Sequence, residues 1–114
     1  MARFMAIYTG KPGAAMPDPD TIAKGMKAWQ DWMTRHAGQI VETGGPLGKT
    51  KKVSKAGVSD IRNRVGGYIL VKAASHEAAA AMFENHPHFA IFPGDSVEIM
   101  ERLPIPGQGE GAGA

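Results

Sequence analysis

A chain of 114 residues with no cysteine is sized for one domain, and it excludes disulfide scaffolds, thiolate nucleophiles and cysteine-ligated zinc or iron–sulfur centres. With 43% apolar and 21% charged residues it reads as soluble and globular, and no apolar run approaches the roughly 20 residues of a membrane helix. The net charge of +2 is uneven: Lys49 to Arg64 carries +5 and the rest of the chain −3. The first eight residues turn polar too quickly for a signal peptide, so a cytoplasmic protein is expected.

Arg3 to Thr9 is a short apolar run closed by Gly10 and Pro12, which predicts a strand. Asp18 then suits a helix N-cap, with Pro19 at the first helical position and Asp20 at the positive end of the dipole. Ile22, Met26, Trp29 and Met33 recur at spacings of one helical face, and Gly38 is expected to end the helix in a left-handed conformation. Gly44, Gly45, Pro46 and Gly48 read as an irregular crossing. Residues 49–56 alternate weakly and suit a polar strand near a sheet edge, followed by a turn from Gly57 to Asn63. Tyr68 to Ala73 is β-rich. Ser75 caps a second helix rich in alanine, which Pro87 is expected to end at His86. Ser96 to Leu103, with Val97 and Ile99 alternating against Glu98, is the last strand.

This order is β-α-β-β-α-β: an α+β, ferredoxin-like arrangement with two helices on one face of a four-stranded antiparallel sheet. Residues 1–104 are expected to form the domain and 105–114 a flexible glycine-rich tail. Nothing in the chain is left to cover the second sheet face, where Tyr68, Leu70 and Met100 are expected. A homodimer packed through that face, with a barrel-like interior, follows.

Gly44 to Thr50 imitates the end of a phosphate-binding loop, but Thr43 stands where the first glycine belongs and a strand follows instead of a helix. The glycines of the tail precede no helix and make no dinucleotide fingerprint. His86-Pro87-His88 carries more promise, because histidine suits acid–base work near neutral pH, although capping or packing is its commoner role. Two histidines without a third ligand do not make a metal site, and neither metal nor cofactor is expected. His36 and His76 read as structural, and Trp29 and Trp32 as core, with Trp32 the one to border a pocket if either does. The basic segment lacks the aromatics with which nucleic-acid readers stack bases, so nucleic acid is disfavoured and a small anion preferred.

Gly44-Gly45-Pro46-Leu47, Gly66-Gly67-Tyr68-Ile69-Leu70-Val71, Ala74-Ser75-His76-Glu77-Ala78-Ala79, His86-Pro87-His88 and Ser96-Val97-Glu98-Ile99-Met100-Glu101 with Leu103-Pro104-Ile105-Pro106 stand in an order that resembles the YCII-related family, including its DGPF branch. The resemblance spans nearly the whole chain to Pro106. It implies a dimeric α/β-barrel related in fold to muconolactone isomerases and small monooxygenases, and leaves the reaction open. Members likened to enzymes use a histidine in the first helix and an aspartate after the Gly-Pro-Leu turn. Here the corresponding positions offer Lys27 and the run Gly48-Lys49-Thr50-Lys51-Lys52, so that pair is not carried over. At the DGPF position only Asp60 remains.

The expected function is therefore binding of a small anionic molecule in the inter-subunit barrel, through Asp60, Tyr68, Glu98 and Arg102. The alternative is an isomerase or lyase in which His86 or His88 moves a proton.

Overall fold

The computed structural model describes residues 1–107. Its central strand is β1 (Ala2–Thr9), where Phe4, Ala6 and Tyr8 face one way and Met5 and Ile7 the other. β5 (Val65–Ala73) pairs with it antiparallel and sets Val71 opposite Phe4 and Ile69 opposite Ala6. On the other side of β1, β6 (Ser96–Glu101) sets Ile99 opposite Ala6 and Val97 opposite Tyr8. The remaining strand, β2 (Ile40–Pro46), borders β5, giving the order β2-β5-β1-β6. Phe4, Ile69 and Val71 are buried on the shared face; at about 1.5–3 kcal/mol for each large apolar side chain, this face anchors the fold.

The helices supply its cover. α1 (Pro19–Arg35) starts as expected: the Asp18 carboxylate accepts the Thr21 backbone N–H at 2.9 Å, and Pro19 occupies the first turn. Trp32, on the inner side of α1, is fully buried, and its indole N–H donates to the Met82 carbonyl at 2.7 Å. That bond ties α1 to the turn after α2 (His76–Ala81), whose N-terminus is capped by Ser75. Ala79, Met82 and Phe83 complete the core.

The opposite sheet face carries Met5, Ile7, Tyr68 and Leu70 half-buried and Met100 exposed, as the missing cover predicts. No described element lies across it.

Several elements differ from the sequence expectation. The edge strand beside β5 is residues 40–46, which takes in Gly44 to Pro46 from the expected crossing; the strand expected within 49–56 forms, but outside this sheet. Gly44 makes this strand possible. It has φ 63°, and a Cβ there would lie 1.9 Å from the Tyr68 carbonyl oxygen. Residues 57–61 are strand and not turn: β3 (Thr50–Ser54) and β4 (Gly57–Ile61) form a separate hairpin, turning at Lys55-Ala56, with Val53 opposite Val58. Pro87 does not simply end the second helix. α2 stops at Ala81, and Pro87 opens a third helix, α3 (Pro87–Ala90). Gly38 lies in a short 3₁₀ turn and takes no left-handed conformation; His36 is the C-cap of α1. Of the tail expected from 105 onward, residues 108–114 lie outside the described residues.

Candidate functional site

The two histidines flanking Pro87 have unlike fates. Proline at the first position of α3 makes His86 its N-cap, and the His86 Nδ1 accepts the His88 backbone N–H at 3.0 Å. A nitrogen that accepts carries no proton, so the proton sits on Nε2, which faces the Tyr8 hydroxyl at 3.5 Å. His86 is fully buried within an aromatic cage, its ring centroid 4.6 Å from that of Trp29 and 4.7 Å from that of Trp32. Burial, reinforced by the positive charge that His88 and His36 carry when protonated, holds its pKa down at about 3. Burial also keeps the Tyr8 phenol protonated well above its ordinary range. His86 is thus a neutral structural group with both nitrogens engaged.

His88 is half-buried. Its Nε2 lies 2.7 Å from the Thr9 carbonyl, which can only accept, so Nε2 carries a proton and donates it. Gly94 allows the ring to lie there, since a Cβ at that position would fall 2.4 Å from the His88 Cε1 and Nε2. Nδ1 has no partner among the described residues.

Two cavities meet at His88. One is an apolar pocket of about 540 Å³ between α1 and the sheet, walled by Trp29, Met26, Met33, Phe92 and the β5 residues Gly67 to Ile69. Methionine walls adapt to ligands of different outline. The other is a groove of about 1120 Å³ between the 10–17 loop, the hairpin and the 92–94 loop. Lys11, Lys49, Lys51, Arg62 and Arg64 line it. Lys51 is paired with Asp60 at 2.7 Å and Arg64 with Asp95, whereas Lys11, Lys49 and Arg62 have no carboxylate partner among the described residues. Met16, Gly66, His88 and Phe92 line both cavities.

The other residues singled out from the sequence do not all converge here. Tyr68 contributes to the apolar pocket, and its hydroxyl donates to Glu42 at 3.2 Å, an interaction that raises its pKa. Asp60 borders the groove but is occupied by Lys51. Glu98 lies opposite Ile7 on the uncovered sheet face. Arg102 follows β6 at the far end of β1, its backbone N–H bonded to the Arg3 carbonyl. Of the two tryptophans expected in the core, Trp32 lies there, whereas Trp29 is partly buried against it and walls the pocket that Trp32 was the candidate to border. Sequence reasoning missed Tyr8, Lys11 and Phe92. Among the described residues no group of three His, Asp or Glu side chains is arranged to hold a metal ion, and no helix is long and apolar enough to cross a membrane.

No protein-family model matches the chain, and no curated protein does. A solved structure is similar: 5-chloro-2-hydroxyhydroquinone dehydrochlorinase (TftG) from Burkholderia phenoliruptrix AC1100, in complex with 2,5-dihydroxybenzoquinone. It is 17% identical, with a TM-score of 0.57 over 90% of this chain and 93% of that one. At that identity the likeness speaks for the fold alone, and the chain has a ferredoxin-like α+β fold of the same kind.

Proposed function

We infer that this protein binds a small anionic molecule whose apolar body occupies the pocket beside Trp29 and whose charge faces Lys11, Lys49 and Arg62. The observation that carries the reading is the wall common to both cavities, formed by Met16, Gly66, His88 and Phe92. An apolar cleft with a few polar groups at its mouth is the usual form of a small-molecule site. Three cations without carboxylate partners among the described residues attract an anion into it. The similar structure holds a small cyclic ligand in a related fold, which agrees with this reading.

The ordered motifs from Gly44 to Pro106 favour a YCII-related protein, and the apolar face of Met5, Leu70 and Met100 favours a homodimer closed into a barrel. The ligand is assigned to the helix side of the sheet, where His88 and the cations meet, and not to the inter-subunit barrel. The alternative of an isomerase or lyase is favoured by one observation, the position of His88 in the shared wall.

Thermal shift with benzoate, benzamide, acetate and inorganic phosphate tests the binding reading, since a ligand that binds the folded state raises its Tm. Benzoate should raise the Tm, acetate and benzamide should do so far less, and Lys49→Gln with Arg62→Gln should remove the benzoate effect. Equal responses to benzoate and benzamide would show that the cations play no part.

A further inference from the structure

We propose that His88 is a catalytic base whose Nδ1 takes a proton from the acidic C–H of a small 2-oxo carboxylate, making the site a centre for keto–enol isomerisation. The proposal rests on the binding reading above and assigns it an activity and a substrate class.

The starting point is the direction of one hydrogen bond. The Thr9 carbonyl, 2.7 Å from His88 Nε2, fixes the proton on Nε2 in the neutral ring, so the lone pair must be on Nδ1. After Nδ1 gains a proton, the same carbonyl accepts a stronger, charge-assisted bond from Nε2–H. A backbone carbonyl thus orients the base, in the place that a carboxylate takes in many acid–base sites. Gly94, whose missing side chain leaves the ring room, and His86 Nδ1, which anchors the His88 backbone N–H at 3.0 Å, allow this placement. His86 cannot share the task, since it is fully buried with both nitrogens engaged.

The surroundings define the substrate. A molecule seated across the shared wall has its apolar part against Trp29 and Phe92 and its anionic end toward Lys49 and Arg62. The atom beside His88 is then the one joining the two parts. In a 2-oxo carboxylate with an apolar substituent, that atom is the carbon next to the carbonyl, whose C–H is acidic. As its proton passes to Nδ1, the electron pair of the C–H bond moves into the carbonyl and gives an enolate, whose negative charge the cations stabilise. The imidazolium returns the proton to the enolate oxygen to give the enol. The reverse sequence restores the ketone, and no oxidant, reductant or co-reactant enters.

Phenylpyruvate is the probe, because its ring suits the apolar pocket and its enol absorbs in the ultraviolet. The full-length protein should speed decay of the enol to the ketone, and in D₂O should place deuterium on the benzylic carbon. His88→Gln, which can still donate to the Thr9 carbonyl but has no base, should lower kcat/KM about a hundredfold or more. It should still show a phenylpyruvate-dependent rise in Tm. His88→Asn is the second variant should glutamine disturb the fold. A wild-type protein whose Tm rises with phenylpyruvate but which leaves the rate unchanged overturns the activity and spares the binding reading. No rise in Tm overturns both. Full activity in the folded His88→Gln protein overturns the role of His88.

Discussion

His86 makes the stability of this fold depend on pH in a way that can be worked out beforehand. In the unfolded chain the imidazole titrates near 6.5, and in the fold it is held at about 3. A base with a depressed pKa opposes protonation of the native state. Its full contribution is therefore present above pH 6.5 and is lost as the pH falls from 6.5 toward 3. At pH 5 the unfolded state has already gained about 1.5 pH units of protonation free energy while native His86 is still neutral, a difference of about 2 kcal/mol. The ring has no solvent exposure, so screening takes little from this figure. Urea denaturation of the wild type and of His86→Gln at pH 7.5 and 5.0 isolates the effect, because the other titrating groups, His36 and His88 among them, are common to both proteins. The wild type should lose about 2 kcal/mol more than the variant between the two pH values. Equal losses would falsify the assignment of His86 as a buried neutral group.

Other substitutions probe separate links. Trp32→Phe leaves the Met82 carbonyl without its 2.7 Å donor in the core, and should cost at least about 1–3 kcal/mol in chemical denaturation. Gly44→Ala would set a Cβ 1.9 Å from the Tyr68 carbonyl oxygen at φ 63°, and circular dichroism melting should show a loss of at least about 1–3 kcal/mol as the β2 edge is displaced. Light scattering should give twice the 12.1 kDa chain mass at micromolar concentration, and Leu70→Glu on the uncovered face should return the single-chain mass. A wild-type mass near 12.1 kDa would contradict the dimer.

What the sequence disclosed depended on how local each signal was. β1, α1, β5 and β6 were legible because their alternation or helical spacing lies within a single element, and Asp18-Pro19 set the helix start to the residue. β2 was hidden because glycine and proline at 44–46 ordinarily break strands. Here they lie at an irregular edge, where the register shifts twice and Gly44 accepts close contact with Tyr68. The hairpin was misplaced because Lys55-Ala56 lacks the usual residues of a two-residue turn. His86 and His88 share one motif and one chemistry. They differ only because the tryptophans of α1 enclose the first, while the Thr9 carbonyl of β1 takes the second, both remote in sequence. One local signal could have separated them: proline at position 87 marks His86 as an N-cap. The cationic groove had no such signal for Lys11, which lies outside the basic segment and reaches it only through the fold.

The most direct test of the ligand's place is an amide chemical-shift map of the ¹⁵N-labelled protein titrated with benzoate. Saturable shifts should centre on Gly66, Gly67, His88 and Phe92, with little change at Ile7, Leu70, Glu98 and Met100. The reverse pattern, with shifts across the uncovered sheet face and none around His88, would place the ligand in the inter-subunit barrel and contradict the site described above.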